Sequence, residues 1–248
     1  MRLTADDYRS LFATDVARMR AVEASDLATP VPHLDGWTIA TLIGHTGWVS
    51  RFITAAVTAP PDEPPARSSI DDPPPGPEVL GWFSDALDLA TDALATTDPE
   101  GQRETWAGPQ SVQWWFRRLA HETAIHRWDL EVARGGLEAA ASIDPAAALD
   151  GVDEVLEAFV PRRMSFEALG GSGESMHLHA TDIDNGEWMI RWHPDSITWE
   201  HAHAKGDVAA RGPASDLMLL LWGRVKADRF EVFGDASLLD RWQAAATF

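Results

Sequence analysis

The segment AHETAIHRWD, residues 120–129, contains two histidines, a glutamate and an aspartate within ten residues. Glu122 and His126 are four residues apart, so on a helix their side chains lie one turn apart on the same face. That face is otherwise largely apolar, and an ionised carboxylate facing a core is costly unless it is paired or binds a cation. A glutamate four residues before a histidine is also an ordinary pair on a solvated helix surface. The spacing therefore predicts either part of a metal site or a simple surface pair.

A third candidate ligand lies earlier in the chain, in the segment predicted to form the second helix. His45 shares helical spacing with Leu42, Val49 and Phe52, which predicts an inward position. Two histidines and a carboxylate are a familiar ligand set for a catalytic metal, and facing helices of bundles commonly supply it. The alternative is a hydrogen-bonded core histidine. Trp48, one turn after His45, either borders such a site and its cofactor or packs in the core.

Two residues near Glu122 have less definite roles. His121 points about 100° away from Glu122 around the helix, which makes it a poorer ligand. Asp129 lies roughly two turns beyond Glu122. We expect Asp129 either to orient a ligating histidine or to pair with Arg118 or Arg127 at the surface.

A rival histidine cluster occurs in the second half of the chain. His177 and His179 form one His-x-His pair, and His201 and His203 form another, each with both side chains on one face of a predicted strand. Barrel metal sites use this pattern with further ligands on neighbouring strands, and His193 is the nearest extra candidate. The predicted strands are too few for a closed double-sheet barrel. We therefore expect exposed strand histidines, since one solvated face is normal in an antiparallel sheet.

The first part of the chain has the apolar periodicity of helices. Helices are predicted over residues 4–24, 38–57, 78–96, 111–135 and 145–160. Thr4 and Ser111 are good N-caps, and Gly135-Gly136 is a good C-cap. Residues 60–77 include eight prolines, which predicts either a surface spacer or a loop that covers a site, with the spacer favoured.

After residue 164 the pattern changes to the alternation typical of strands. Strands are predicted over residues 176–184, 187–193, 196–202 and 229–235, a turn into an apolar helix over 211–224, and a short helix over 236–246. Asn185-Gly186 predicts a tight hairpin between the first two strands. Helices followed by mixed strands and helices predict an α+β protein of two domains, with a boundary near 160–166.

The composition is that of an acidic globular protein without cysteine. The 248 residues include 20 Lys and Arg against 39 Asp and Glu, a net charge of −19, which disfavours a nucleic-acid partner. The absence of cysteine rules out disulfides, zinc–thiolate sites and a catalytic thiol of the protein itself. The segment MRLTADDYRS lacks the apolar core of a signal peptide, and no apolar run reaches the ~20 residues of a membrane span. We expect a cytoplasmic monomer or homodimer that binds neither nucleic acid nor membranes.

Four segments resemble the mycothiol-dependent maleylpyruvate isomerase family. GWTIATLIGHTGWVSR (36–51) and WFRRLAHETAIHRWDLE (115–131) are similar to the family's two signature segments. GPASDLMLLLWGR (212–224) and FEVFGDASLL (230–239) are similar to its C-terminal pattern. The resemblance therefore spans nearly the whole chain.

The resemblance implies a particular α+β architecture. An N-terminal DinB-like four-helix bundle would be followed by a smaller α/β domain related in shape to sterol-carrier proteins. We expect the metal-binding bundle to comprise residues 1–162 and the C-terminal domain residues 163–248.

The resemblance also implies roles for individual residues. His45, Glu122 and His126 match the family's metal ligands, usually assigned to zinc. Arg224, in the segment LWGR, matches an arginine thought to serve substrate or thiol binding, and it would hold a substrate carboxylate through paired hydrogen bonds. The role of Asp129 in orienting a metal ligand comes from its spacing on the helix and not from the resemblance.

The implied cofactors are a divalent metal, expected to be Zn²⁺, and mycothiol. Coordination would lower the pKa of the thiol and hold it as a thiolate, which is the nucleophile. In the isomerase, the thiolate would add to the cis double bond of maleylpyruvate. Rotation about the new single bond and expulsion of the thiol would then give fumarylpyruvate. We expect a metal- and mycothiol-dependent isomerase or S-transferase that acts on a small electrophile.

Two other functions are compatible with the residues. A metal-dependent hydrolase would use the same ligands and a metal-bound water, without a thiol. A non-enzymatic protein would have a structural bundle and would bind an apolar ligand in its C-terminal domain. Trp188, Trp192 and Trp199 alternate with polar residues there and either line a pocket or form the core.

Overall fold

The chain divides into two compact units, one helical and one built on a β-sheet. The computed structural model describes residues 3–246, of which 3–141 form the first unit and 142–246 the second. The predicted α+β class, with a helical N-terminal region followed by a sheet-containing C-terminal domain, is confirmed. Among the described residues, no helix is both long enough and apolar enough to span a membrane.

Four helices and a hairpin make up the described part of the first unit. The helices are α1 (Ala5–Met19), α2 (Ile39–Thr58), α3 (Glu78–Thr96) and α4 (Val112–Gly135), and the hairpin strands are β1 (Gln102–Thr105) and β2 (Gly108–Ser111). Short 3-10 helices occupy Ala24–Asp26, Arg67–Ser69 and Leu137–Ala139. The hairpin was not predicted, because its short strands lack the alternation of apolar and polar residues.

The predicted helix ends agree with the observed caps at three positions. The Thr4 hydroxyl accepts a hydrogen bond from the Asp7 amide at 3.2 Å, and the Asp7 carboxylate accepts one from the Thr4 amide at 2.8 Å, which forms a capping box. Ser111 and Gly136 flank α4, and Gly136 has a φ of 81°, a conformation that favours glycine. Helix α1 ends at Met19, earlier than the predicted residue 24; a turn at residues 20–21 follows, and then the 3-10 helix Ala24–Asp26.

Helix α4 is surrounded by protein around most of its circumference. Helices α1 and α2 both pack against it, and α2 also packs along α3. Its buried side chains include Phe116, Leu119 and Trp128, together with the polar residues His126 and Asp129. Buried polar groups require partners, so the polar side chains of α4 must form contacts inside the bundle.

The proline-rich segment 60–77 connects α2 to α3 along the outside of the bundle. It is irregular except for its single 3-10 turn, and it is largely exposed throughout. Pro73 packs against Gly44 of α2, and the Arg67 guanidinium lies 4.4 Å from the centroid of the Trp48 ring. The segment is therefore a surface connection, as favoured, and it also contacts the helix that carries His45.

The second unit combines helices with a five-stranded sheet. Its strands are β3 (Ser175–Ala180), β4 (Glu187–Trp192), β5 (Ile197–Glu200), β6 (Val208–Gly212) and β7 (Glu231–Gly234), in the order β5-β4-β3-β6-β7. Its helices are α5 (Pro145–Glu154), α6 (Val160–Arg163), α7 (Phe166–Leu169), α8 (Ala214–Leu221) and α9 (Ser237–Ala245), with a π-helical stretch at Val155–Phe159 and a 3-10 helix at Ala227–Arg229. Strands β3 and β6 are parallel, and the other pairs are antiparallel.

The boundary between the units differs from the expected one. The helix predicted over residues 145–160 belongs to the second unit, so the division falls at 141–142 instead of 162–163. Helix α5 packs against α8 of the same unit. Helical periodicity shows that a face is buried, but it does not show which core that face covers.

The strand predictions require two corrections. The predicted hairpin between the first two strands is present, since β3 and β4 pair antiparallel, but its turn is not tight, because six residues, 181–186, connect the strands. Asp182 in this connection accepts a hydrogen bond from the Ala214 amide at 2.9 Å, which holds the chain near the start of α8, and Asn185 takes a φ of 62°. Strand β6 was not predicted as a strand, because its short, alanine-containing run has weak strand propensity.

The tryptophans of the second unit are mainly core residues. Trp188 and Trp192 are fully buried, while Trp199 on the edge strand β5 is half-buried. Of the two roles left open by the sequence, this burial favours core packing over the lining of an apolar pocket.

Candidate metal centre

Helices α2 and α4 bring three candidate ligands together inside the first unit. His45 comes from α2, and Glu122 and His126 come from successive turns of α4. One potential ligand atom from each side chain lies within 4.8 Å of the other two. The convergence on which the sequence-based hypothesis depended is therefore present in the fold.

One carboxylate oxygen lies between the two imidazoles. The Oε1 atom of Glu122 is 2.9 Å from Nε2 of His45 and 3.2 Å from Nε2 of His126. The two imidazole rings have centroids 5.1 Å apart and planes at 83° to each other. The rings therefore point their nitrogens toward a common position instead of stacking.

The centre is closed on one side and open on the other. The side chains of His126 and Glu122 retain only 8% and 12% of their accessible surface, whereas His45 retains 39%. A small molecule can therefore approach from the His45 side, while the helix α4 side is shielded from water.

Arg118 shapes the electrostatics of the centre. It lies one turn before Glu122 on α4 and donates a hydrogen bond from Nη2 to the second carboxylate oxygen, Oε2, at 2.7 Å. Burial opposes ionisation of Glu122, but the charges of His126 and Arg118 hold the pKa of its carboxyl well below its usual range. Burial likewise disfavours the His126 imidazolium, yet the Glu122 carboxylate raises the pKa of His126 above its usual value. The ionised carboxylate thus favours a positive charge beside it, either a proton or a metal ion.

Asp129 contacts His126, the second candidate ligand on α4. Its Oδ2 atom is 3.0 Å from Nδ1 of His126, and the residue is fully buried. A carboxylate can only accept a hydrogen bond, so this contact places a hydrogen on Nδ1 of His126. In the imidazolium form Nε2 also carries a hydrogen and donates it to Glu122, and loss of that proton frees the Nε2 lone pair for a metal ion. Of the two roles that the sequence allowed, this geometry supports orientation of a ligating histidine.

One aromatic residue that contacts both histidines, Trp37, was not considered from the sequence. The ring of Trp37 lies 5.1 Å from the His45 ring and 6.2 Å from the His126 ring, centroid to centroid. Trp37 directly precedes the N-cap of α2, which is the signal that would have identified it. Trp48 is half-buried and stacks on Phe52, with ring centroids 5.4 Å apart.

The remaining residues considered from the sequence lie away from these three side chains or belong to the other unit. His121, expected to be a poorer ligand, is fully buried and contacts the ring of Tyr8 edge-on. Arg224 follows α8 in the second unit, is 6% exposed, and donates a hydrogen bond from Nη1 to the Trp222 carbonyl at 2.8 Å. The substrate-binding role that the resemblance implies for Arg224 stays a prediction.

Family comparisons agree with the division into two units. Residues 9–131 match the family model described as the mycothiol maleylpyruvate isomerase N-terminal domain, and residues 146–241 match the MDMPI C-terminal domain. The first match ends before the boundary at 141–142, and the second begins after it. A comparison with curated protein sequences finds no significant match.

Two solved structures have a similar fold over nearly their whole length. They are the mycothiol-dependent maleylpyruvate isomerase and a histidine-to-alanine mutant of it, with TM-scores of 0.60 and 0.63. Each is 17% identical to this chain, and the match covers 93% of this chain and 93% of the other. The likeness in structure shows the fold, while the two family models between them account for most of the sequence. The chain belongs to the mycothiol maleylpyruvate isomerase family.

Proposed function

We propose that this protein is a metal-dependent enzyme that uses mycothiol to attack a small electrophile, as an isomerase of the maleylpyruvate type or as an S-transferase. Family membership supports the reaction class and the thiol. The observation that carries the proposal is the convergence of His45, Glu122 and His126 within 4.8 Å. Three donors drawn from two helices of one bundle match the ligand set of a catalytic metal.

The side chains present fit a divalent cation such as Zn²⁺. His45 and His126 would each contribute Nε2, and Glu122 would contribute Oε1, since these atoms already face one another. Three protein ligands leave a position for a further group, and the partly exposed His45 marks the side from which it arrives. A bound cation supplies a Lewis acid that lowers the pKa of a thiol and keeps it as the thiolate at neutral pH.

The surrounding residues hold the ligands in place. Asp129 fixes the orientation of His126 through Nδ1, and Arg118 holds Oε2 of Glu122 so that Oε1 remains directed at the imidazoles. Trp37 packs against both histidine rings and limits their rotation. Preorganised ligands of this kind avoid the cost of ordering side chains when the cation and the substrate bind.

Two further residues are proposed to contact the reacting molecules. Arg224 is proposed to bind a substrate carboxylate through its planar guanidinium, an assignment that rests on the family pattern around LWGR. Trp48, one turn beyond His45 on α2, is proposed to border the bound thiol. The protein is proposed to act in the cytoplasm, because a free low-molecular-weight thiol requires a reducing compartment.

Metal analysis of matched variants tests the proposal. The His126→Ala and His45→Ala proteins, purified without a polyhistidine tag, are expected to contain one equivalent of zinc fewer than the wild type and to lose turnover. His45 is partly exposed, so the His45→Ala protein should remain folded by circular dichroism. His193→Ala, which changes a histidine of the other unit, serves as the control and should keep both metal content and turnover. Wild-type metal content in both ligand variants would contradict the proposal.

Thiol dependence separates the proposed function from a hydrolase. Turnover of an electrophile such as maleylpyruvate by the wild-type protein is measured with and without added mycothiol. We expect turnover only with the thiol. Equal turnover without it would indicate metal-dependent hydrolysis on the same ligands.

A further inference from the structure

A second group of potential ligands lies in the C-terminal unit, separate from the centre formed by α2 and α4. His177 and His179 come from β3, Glu187 begins β4, and His203 lies in the irregular segment between β5 and β6. One potential ligand atom from each of the four lies within 4.8 Å of the others. The sequence favoured exposed, independent strand histidines here, and the fold instead gathers three of them around a carboxylate.

The register of the sheet positions three of these four side chains. His177 and His179 are two residues apart on β3 and therefore share one face of the sheet. His179 is directly opposite Glu187 in the antiparallel β3–β4 pair, which places the carboxylate on that same face. The arrangement therefore follows from regular strand pairing, and a shift of one residue in register would destroy it.

The side chains converge on one atom of the carboxylate. Oε2 of Glu187 is 2.6 Å from Nδ1 of His203, 3.0 Å from Nε2 of His177 and 3.7 Å from Nδ1 of His179. The three imidazole centroids are 5.5–6.0 Å apart, and their planes cross at 73–89°. Rings that cross at such angles direct nitrogens inward, as ligands of a single ion do.

The cluster has a closed base and an accessible side. The His177 side chain is 8% exposed, His179 and Glu187 are each 28% exposed, and His203 is 77% exposed. A cavity of about 670 Å³, lined in part by His179 and Glu187, adjoins the cluster. An ion can therefore enter from solvent and reach ligands that are held by the sheet.

The segment that carries His203 is anchored at both of its ends. At one end, His201 places Nδ1 3.1 Å from the Glu187 carbonyl and Nε2 3.2 Å from the Asp153 carboxylate. At the other end, Asp207 accepts hydrogen bonds from the Ser175 amide and hydroxyl at 2.8 and 2.7 Å. The residues between these anchors have no regular secondary structure, and His203 links the middle of the segment to β4 through Glu187.

We propose that His177, His179, Glu187 and His203 form a second metal site that binds a divalent transition-metal ion such as Zn²⁺. Imidazole nitrogens and a carboxylate oxygen are ligands that Zn²⁺ prefers, and four protein ligands are typical of structural sites. The ion would cross-link β3, β4 and the segment between β5 and β6. The site is independent of the catalytic proposal, since it shares no residue with the centre on α2 and α4.

Zinc titration of a protein that lacks the first centre tests this site. The full-length His45→Ala/His126→Ala double variant, without a polyhistidine tag, is titrated with Zn²⁺ by isothermal titration calorimetry. We expect one equivalent to bind and the melting temperature to rise, because an ion that binds only the folded state stabilises it. Adding His203→Ala should weaken binding at least about ten-fold, since even outer partners of metal ligands contribute that much.

His203 is largely exposed, so its replacement should not unfold the domain. His193→Ala in the same background is the matched control, because His193 contacts Thr198 instead of the cluster. It should retain the equivalent of zinc and the rise in melting temperature. The proposal is overturned if the double variant binds no zinc, or if the His203→Ala and His193→Ala proteins bind it equally. Neither result bears on the first centre, which is tested by the difference between wild type and double variant.

Discussion

At the scale of single residues, Glu122 lies between an arginine and two histidines and therefore holds a defined orientation. Arg118 occupies Oε2, and both imidazole Nε2 atoms approach Oε1. Asp129 in turn fixes the His126 ring through Nδ1. Removing a partner of this kind would leave the proposed metal ligands in place but allow them to rotate, so the expected cost falls on metal affinity.

Asp129→Ala is expected to reduce zinc affinity at the first centre by about 10- to 100-fold, because His126 loses the acceptor that sets its tautomer and orientation. Competition with a chromophoric chelator measures the affinity. Asp15→Asn is the matched control, since Asp15 is also a buried carboxylate that contacts α4, through Arg127. It should change stability and leave zinc affinity unaltered. Equal zinc affinities in the two variants would count against the orienting role of Asp129.

At the scale of elements, the helix that carries His45 packs closely against its neighbour. A Cβ atom at Gly47 of α2 would lie 2.5 Å from the Trp82 ring of α3. Arg51, one turn beyond Gly47 on α2, contacts the same ring, with its guanidinium 4.7 Å from the ring centroid. The close approach of α2 and α3 thus depends on a glycine at position 47. The position of His45, which lies on α2, depends on the same packing.

Gly47→Ala and Gly81→Ala form a matched pair that measures this packing. Both changes gain helix propensity, but a Cβ at the exposed Gly81 of α3 meets no atom within 4 Å. Gly81→Ala should raise the free energy of unfolding by roughly 0.5–1 kcal/mol. The free energy of unfolding of the Gly47→Ala protein should be lower than that of the Gly81→Ala protein by about 1–3 kcal/mol, the usual cost of overpacking. Urea unfolding measures both, and equal stabilisation would show that α3 moves aside at no cost.

At the scale of the whole molecule, the net charge influences the rate at which a charged substrate reaches the protein. The chain carries a formal charge of −19. A dicarboxylate substrate of the maleylpyruvate type would therefore be repelled at long range and attracted only locally, by the proposed metal ion and by the proposed anion anchor Arg224. Salt screens the long-range repulsion more than it screens contacts inside a partly buried site.

We expect kcat/KM for a dianionic substrate to rise a few-fold between about 20 mM and about 200 mM KCl, since the Debye length shrinks over this range. A neutral electrophile with the same thiol is the control and should show no such rise. Steady-state kinetics at constant mycothiol measures both substrates. A fall in kcat/KM for the dianion would show that local positive charge, and not the net charge, governs the encounter.

The sequence alone was enough to predict the α+β class, most helix positions and the three candidate ligands of the first centre. These features depend on local periodicity, capping residues and, for the ligand set, resemblance to a family whose motifs lie within single helices. His45, Glu122 and His126 could be selected because each motif is contiguous in the chain.

Other features depend on pairing between distant segments, and only the tertiary structure decided them. The assignment of α5 to the second unit, the contacts of Trp37 with two histidines, and the gathering of His203 with Glu187 all depend on which surfaces meet. Periodicity identifies the face of a helix or strand that is buried, but it carries no information about the partner of that face. The contacts between segments far apart in sequence were therefore settled by packing and strand register, which only the folded chain defines.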